Sequence, residues 1–161
     1  MISVEDFLYF VDEALNGMVA IIEELGDELA NRRPDVEATN TPYVILTHCL
    51  GVIEYWAGQV VAGREIERDR DAEFVASGPV TALVDRVGRS RRQLAQDLAH
   101  LEALSAPRVA PRVADPSLPF HRTQGGALLH LYEELAQHRG QMEGCRDVLR
   151  ARWAHLVPQV R

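Results

Sequence analysis

Three side chains with the chemistry of metal ligands stand out: His48, Glu134 and His138. Glu134 and His138 stand four residues apart in LLHLYEELAQHRGQ, and His48 lies in the earlier run PYVILTHCLGVIEYW. On a helix, residues i and i+4 point the same way and stand roughly 6 Å apart along the axis. Two imidazoles and one carboxylate suit Zn²⁺ with one open position, and they also accept Fe²⁺ or Ni²⁺. The residue types therefore raise the hypothesis of one divalent-metal site.

The elements that must position these residues are four amphipathic segments of similar length, which predict an all-α four-helix bundle. The predicted helices run from about Val4 to Leu25, Pro42 to Ala62, Val80 to Leu104 and Gln124 to Trp153. A further short helical turn is expected at Asp27–Asn31. No segment alternates polar and apolar residues with period two, so no strand is predicted.

Local signals mark the helix ends and the connections. Ser3 with Asp6, Thr41 before Pro42, and Thr123 are candidate N-caps, whereas Gly26 and Gly63 are candidate stops. The charged connection Arg64–Ser77 includes REIERDRDAE at 64–73, which is typical of a solvated loop. The connection before the last helix, Ser105–Arg122, is predicted to be stiff and non-helical because it contains Pro107, Pro111, Pro116 and Pro119.

Helical periodicity places both histidines on apolar faces. His138 falls in the same arc as Leu135, Glu134 lies at the margin of that arc, and His48 stands beside Val52. A buried imidazole without a partner costs roughly 1–3 kcal/mol, so the two histidines call for a shared explanation. Two ordinary explanations stay open at this point: an exposed charge pair between Glu134 and His138, and a backbone hydrogen bond to a buried His48.

Other polar residues near this pattern have candidate roles. His130 precedes Glu134 by one turn but lies further from the apolar arc, so it is interpreted as a neighbour of the ligands or a surface residue. Gln141 and Tyr55 are candidates for orienting a bound water or substrate, although Tyr55 and Trp56 are first of all expected in the core. No general base or other catalytic residue is identified.

The remaining histidines and the cysteines have simpler interpretations. Cys145 is predicted to be a small core residue and not a nucleophile, because no base is evidently paired with it. His100, His121 and His155 show no pattern and are predicted to be solvated.

Composition excludes several classes of function. The formal net charge of -7 disfavours nonspecific electrostatic binding to the phosphates of nucleic acids. The N-terminus MISVEDFLYF lacks a basic region before its apolar residues, so no signal peptide is expected, and two cysteines without a C-x-x-C pair suit a reducing cytosol. The apolar stretch 43–63 contains His48 and Glu54, which favours a buried helix of a cytoplasmic protein over a membrane span.

Short motifs carry a family resemblance. The string HRGQ at 138–141, with an acid four residues before it, resembles the DinB-like superfamily of metal-binding four-helix bundles. So does a lone His48 followed by Glu54 and Trp56, after a Pro-containing loop. The resemblance covers most of the chain and is strongest at 27–63 and 124–150.

Many members of that superfamily carry three histidines, whereas this chain has Glu134 in place of one of them. The His, Glu, His variant is similar to the branch of mycothiol-dependent maleylpyruvate isomerase and related thiol S-transferases. The resemblance implies that His48, Glu134 and His138 are the metal ligands. It also implies an up-down-down-up bundle, a homodimer and mycothiol as a cosubstrate. We expect one such domain over residues 1–161.

The function expected from these features is a metal-dependent transferase or detoxifying enzyme that joins a low-molecular-weight thiol to a small electrophile. Zinc is the first expectation for the metal, with nickel or iron as alternatives. Neither nucleic acid nor a membrane is expected as a partner. One alternative is a metal-dependent hydrolase. The other is a non-catalytic, stress-related metal-binding module, whose site would be closed by a fourth ligand such as His130 or Cys145.

Overall fold

The computed structural model describes residues 3–112, 115, 117–153 and 156. Within these residues the chain is all-α, as the sequence predicted, and contains no strand. The helices are α1 (Val4–Ala30), α2 (Pro42–Ile53), α3 (Arg70–Glu73), α4 (Val80–Asp97) and α5 (Gln124–Trp153). A π-helical segment, Glu54–Val61, continues α2, and Pro119–His121 forms a 3-10 turn before α5. The long helices pack as a bundle, and their up-down-down-up order stays a prediction.

Helix α1 begins at the predicted capping box. The Ser3 hydroxyl accepts a hydrogen bond from the Asp6 backbone N–H at 3.0 Å, and the Asp6 carboxylate accepts one from the Ser3 N–H at 3.3 Å. The predicted stop at Gly26 is a kink, where the backbone adopts φ 67° and ψ 177°, a conformation that favours glycine. Beyond it the chain forms one more helical turn, which corresponds to the turn predicted at 27–31.

Helix α2 is buried along its whole length, which explains its apolar sequence. Thr41 caps it as predicted, because its hydroxyl accepts a hydrogen bond from the Val44 N–H at 3.1 Å. The stretch Pro42–Val61 is long and apolar enough to cross a membrane, but 83% of its most apolar window is buried inside the protein. Such burial is typical of the core helix of a soluble protein.

The π-helical segment is a feature that the sequence did not predict, because an α-helix was expected up to Ala62. Its wider turn is visible where the Ala62 N–H donates to the Ala57 carbonyl at 2.9 Å. Segments of this kind are rare and are often found at functional sites. Here the π-helical segment carries Tyr55 and Trp56 about two turns after His48.

Two further boundaries differ from prediction. Helix α4 ends at Asp97 and not near Leu104, because the following chain pairs with the start of α5: the Gln124 N–H donates to the Ser105 carbonyl at 2.9 Å. The segment predicted as a solvated loop at 64–73 contains α3, whose N-cap is Asp69.

The proline-rich connection is non-helical from Ser105 to Leu118 in its described part, as predicted, and packs on the π-helical segment. The Arg108 N–H donates to the Val60 carbonyl at 2.9 Å, and the Arg112 N–H donates to the Tyr55 hydroxyl at 2.8 Å. Pro116 lies outside the described residues. The connection therefore covers the part of the bundle that follows the His48 helix.

The packing of α5 brings the three predicted ligands into one region. Helix α5 contacts α1, α2 and the π-helical segment, and α2 also contacts α3. Its buried face presents Leu128, Leu131, Leu135, Met142 and Leu149 to the core. The polar residues at the edge of that face then meet His48 of α2, which in turn contacts Glu73 of α3.

Candidate metal centre

The three predicted ligands come together in the structure. His48 from α2 and Glu134 and His138 from α5 offer ligand atoms that all lie within 4.8 Å of one another. The His138 Nε2 atom is 3.7 Å from a Glu134 carboxylate oxygen. This distance is close to the roughly 3.4 Å that separates two ligands around a tetrahedral zinc ion with bonds of about 2.1 Å. The donor set and its spacing therefore fit a small divalent cation.

The triad is buried on one side and open on the other. His48 is only 7% exposed, whereas the side chains of His138 and Glu134 are 26% and 30% exposed. His138 was predicted to face the core, but its side chain is only partly buried and lies at the edge of the α5 core face. The consequence is that a bound group could be reached from solvent past the α5 residues.

The imidazole rings are held by partners that fix their protonation. His48 Nδ1 lies 2.9 Å from a Glu73 carboxylate oxygen, and His138 Nδ1 lies 2.9 Å from the Gln141 amide oxygen. Carboxylate and amide oxygens accept hydrogen bonds, so Nδ1 is the donor in both rings. A neutral ring with its proton on Nδ1 keeps the lone pair on Nε2, the atom left for a metal.

Glu73 is the residue that sequence reasoning missed. It is 6% exposed, although the run that contains it was predicted to be solvated. Arg68 donates two hydrogen bonds to its carboxylate, at 2.6 and 2.9 Å, and His48 donates a third at 2.9 Å. Although burial alone would raise the pKa of Glu73, the hydrogen bonds from Arg68 and His48 lower it below its usual value. The carboxylate is therefore ionised and fixed at the Nδ1 edge of the His48 ring.

Two local signals could have indicated this burial. Asp69 caps α3, with its carboxylate accepting a hydrogen bond from the Ala72 N–H at 2.9 Å, so a helix start was readable within the charged run. Gly51 lies one turn after His48, and a β-carbon there would overlap the Glu73 carboxylate. A glycine inside an apolar helix often marks a position where another group approaches closely.

The two histidines differ in their electrostatics. Burial lowers the pKa of His48 despite the Glu73 carboxylate, so its ring is neutral at pH 7. The neighbouring Glu134 carboxylate, 3.7 Å away, raises the pKa of His138, and His138 in turn lowers the pKa of Glu134. Glu134 thus supplies a negative charge beside a neutral His48, which is a suitable environment for a cation.

A comparison with protein families now identifies the group. The sequence profile described as Mycothiol-S-transferase matches residues 6–151. The chain belongs to the mycothiol-S-transferase family. This result confirms the predicted DinB-like resemblance, and the matched range contains all three residues of the triad. No curated protein and no solved structure matches the chain.

The cysteines of this mycothiol-S-transferase family member are not poised as nucleophiles. Burial, followed by the nearby Glu134 and Glu73 carboxylates, raises the pKa of the Cys49 thiol far above its usual range. Burial also raises the pKa of Cys145, which is 4% exposed. The predicted core position of Cys145 is confirmed.

His130 lies beside the triad but outside the group of three. Its Nε2 atom is 3.9 Å from a Glu134 oxygen, and its Nδ1 atom is 3.1 Å from Glu133. The ring stacks on Phe120 with centroids 4.1 Å apart and meets Trp56 edge-on at 5.0 Å. The interpretation of His130 as a neighbour of the ligands fits this position and stays a prediction.

The two candidates for orienting a water or substrate have other partners. Gln141 accepts the hydrogen bond from His138 at 2.9 Å, so its oxygen orients a ring of the triad. The Tyr55 hydroxyl accepts a hydrogen bond from the Arg112 backbone at 2.8 Å and anchors the proline-rich connection. Tyr55 and Trp56 are buried, as expected, yet both also line a cavity of about 390 Å³.

The other histidines show one correction. His100 is exposed, as predicted, and His155 lies outside the described residues. His121 is half-buried, contrary to prediction, because its ring stacks on Trp56 with centroids 5.9 Å apart and an interplanar angle of 19°. Trp56 lies far from His121 in the sequence, so no local pattern pointed to this contact.

Proposed function

We propose that this protein is a metal-dependent S-transferase that joins a low-molecular-weight thiol, mycothiol in the first instance, to an electrophilic small molecule. The observation that carries the proposal is the convergence of His48, Glu134 and His138 with both Nδ1 atoms already engaged. Membership of the mycothiol-S-transferase family supports the choice of thiol and of reaction. Two imidazoles and one carboxylate favour zinc, and nickel or iron are the alternatives.

A divalent cation held by these residues would supply the positive charge that keeps a thiol deprotonated at neutral pH. Glu134 contributes one negative charge to the site, and the buried Glu73 orients the His48 ring. In the reaction the sulfur forms a bond to the electrophilic carbon, and the leaving group departs with its electron pair. The thiol proton passes to solvent, which reaches the open side of the triad.

The need for an external thiol is supported by the protein's own cysteines. Cys49 and Cys145 are buried, and the pKa of each thiol is raised. Because a thiolate is the nucleophilic form, neither side chain is suited to attack an electrophile. The cosubstrate therefore has to supply the sulfur.

The alternatives predicted from the sequence make different demands on the site. A closed structural site would require a fourth protein ligand, but among the described residues the group of mutually close ligand atoms holds only His48, Glu134 and His138. This arrangement favours an open site over a purely structural one. A metal-dependent hydrolase would use the same open position for water, and it is distinguished by turnover without a thiol.

The test compares Glu134→Gln with Glu133→Gln. The two carboxylates are adjacent on α5, but only Glu134 belongs to the triad. We expect stoichiometric zinc in the wild-type protein and in Glu133→Gln by elemental analysis, and a large loss in Glu134→Gln. Transfer of mycothiol to a model electrophile should follow the metal content of each protein.

Three results would contradict the proposal. Equal metal content in both variants would exclude Glu134 as a ligand. Equal transfer rates in metal-loaded and metal-stripped protein would exclude a role for the metal in the reaction. Turnover of the substrate at the same rate without any thiol would favour the hydrolase.

We further propose that the chain acts as one domain and as a cytoplasmic homodimer. The family resemblance supports the dimer, as do two aromatic side chains of α1, Tyr9 and Phe10, which are 60% and 50% exposed. The net charge of -7 supports the absence of a nucleic-acid partner, and the burial of Pro42–Val61 supports the absence of a membrane span. Light scattering of the purified protein tests the dimer, since a monomeric mass at micromolar concentration would exclude it. Whether the protein serves a stress response is tested by comparing the tolerance of cells to electrophiles with and without the gene.

A further inference from the structure

A second feature of the structure lies next to the triad: a cavity of about 390 Å³ whose walls combine aromatic and cationic side chains. The aromatic part comes from Tyr55, Trp56 and His121, and the cationic part from Arg68, Arg70 and Arg112. The volume lies at the lower end of the range of about 300–1,000 Å³ that is typical of small-molecule sites. The cavity is therefore suited to one small ligand.

Two of the cavity walls connect it to the triad. Arg68 lines the cavity and also pairs with Glu73, the carboxylate that accepts the His48 hydrogen bond. Trp56 lines the cavity and contacts the His130 ring, whose Nε2 atom is 3.9 Å from Glu134. A ligand in the cavity would thus lie between the proline-rich connection and the residues that neighbour the triad.

The charges in the cavity walls favour an anion. The guanidinium groups of Arg68 and Arg112 lie 5.8 and 6.0 Å from the centroid of the Tyr55 ring. Arg68 is neutralised by Glu73, whereas Arg70 and Arg112 form no ion pair with any residue that the structure describes. Against these two cations the lining holds one acid, Asp115. The excess of positive charge is notable in a chain with a net charge of -7.

We propose that this cavity binds the electrophilic substrate, and that the substrate is a flat organic anion such as an aryl carboxylate. Its ring would pack against Tyr55 and Trp56, and its carboxylate would be held by Arg70 and Arg112. A guanidinium group matches a carboxylate in geometry and charge and stacks readily on aromatic rings. This inference rests on the proposed transferase function for the reaction, but binding to the cavity can be measured without any reaction.

The first experiment measures binding of two unreactive ligands of the same shape, 4-methylbenzoate and 4-methylbenzamide, to metal-stripped protein by calorimetry. We expect the benzoate to bind at least tenfold more tightly than the benzamide, which corresponds to about 1.4 kcal/mol. Arg112→Gln should remove most of this preference. The matched control is Arg89→Gln, because Arg89 lines a separate cleft of about 380 Å³ that contains no triad residue.

The binding experiment has clear contrary outcomes. Equal affinity for the benzoate and the benzamide would overturn the proposal. An equal loss in Arg112→Gln and Arg89→Gln would also overturn it, since the effect would then reflect overall charge. Inorganic phosphate that competes as well as the benzoate would exclude a role for the aromatic walls.

The second experiment uses a reactive pair, 4-(bromomethyl)benzoate and its amide, with mycothiol and the metal-loaded protein. The thiol sulfur bonds to the benzylic carbon, bromide leaves with the bonding electrons, and the thiol proton passes to the buffer. We expect Arg112→Gln to raise KM for the benzoate about tenfold while the kinetics of the amide stay unchanged. Turnover without preference for the carboxylate would overturn the cavity assignment and leave the transferase function intact.

The remaining outcomes separate the two proposals. If neither compound is turned over but the benzoate still binds with the expected preference, the transferase function fails and the anion cavity stands. The cavity could instead receive the thiol. A comparison of 3-mercaptopropionate with 2-mercaptoethanol decides this, because an Arg112→Gln effect confined to the charged thiol would overturn the assignment to the electrophile.

Discussion

The substitution Glu73→Gln tests whether the buried carboxylate from α3 orients the His48 ring. Glu73 accepts three hydrogen bonds through its two oxygens, two from Arg68 and one from His48. Glutamine keeps the length of the side chain but offers one acceptor oxygen and one NH2 donor. Whichever way the amide is turned, its NH2 group faces at least one N–H donor, so at least one hydrogen bond is lost.

The size of the effect follows from burial. The side chains of Glu73 and Arg68 are only 7% and 10% exposed, so Arg68 would remain as a buried cation without a charged partner. A hydrogen bond to a charged group contributes about 1.5–3 kcal/mol, and breaking a buried ion pair costs about 3–5 kcal/mol. Because glutamine keeps part of the contact, we expect the free energy of unfolding to fall by about 3 kcal/mol. Loss of a group that orients a ligating histidine typically weakens metal binding about 10- to 100-fold.

The assay combines chemical denaturation of the metal-stripped protein with a competition titration of zinc against a chelator. The matched control is Glu67→Gln, an exposed acid in the same segment. This control changes the net charge by the same amount and should leave both measurements unchanged.

Two results would refute the reasoning in different ways. If Glu73→Gln behaves like Glu67→Gln in both measurements, the buried pair has no energetic role. If stability falls but the zinc affinity stays at the wild-type value, Glu73 holds α3 in place without orienting His48.

Three further predictions follow from the packing. Gly51→Ala should destabilise the protein and weaken zinc binding, as Glu73→Gln does, because the alanine methyl group would displace the Glu73 carboxylate. Chemical denaturation and zinc titration measure both effects, and wild-type values in both would contradict the prediction. Gly144→Ala should raise the free energy of unfolding by about 0.5–1 kcal/mol, because alanine is favoured over glycine inside a helix. A β-carbon at this position of α5 meets no atom within 4 Å, so a loss of stability by chemical denaturation would contradict the prediction. Cys49 and Cys145 should not react with Ellman's reagent in the native, thiol-free protein, but both should react after denaturation; rapid native reaction would contradict their burial and raised pKa.

The features that could be predicted from the sequence are those encoded by local periodicity. The helices were recognisable because apolar residues repeat with the helical period and because Ser3, Thr41 and Thr123 mark their starts. Thr123 caps α5 by accepting a hydrogen bond from the Gly126 N–H at 3.0 Å. The convergence of His48 with Glu134 and His138 was also inferable, since polar groups placed on faces that pack together must find partners.

The features that escaped prediction depend on contacts between distant segments. Asp69 and Gly51 mark a helix start and a close approach, but the charged run at 64–73 does not itself show which groups would pair with a buried Glu73. Its burial is favourable only because Arg68 and His48 meet it from two directions. The π-helical segment likewise follows from tertiary packing, and the end of α4 is set by hydrogen bonds to the start of α5.

The two histidines of the triad are held in unequal ways, and this inequality bears on how the site could work. His48 is buried and donates a hydrogen bond to the ionised Glu73 carboxylate, which fixes the orientation of its ring. The ring also stacks on Phe74, with centroids 5.4 Å apart. His138 is held by the neutral amide of the exposed Gln141 and is itself partly open to solvent. Because the buried His48 lies on α2 and the more exposed His138 lies on α5, α2 forms the closed side of the triad. In the proposed reaction, a thiol would therefore approach from the α5 side.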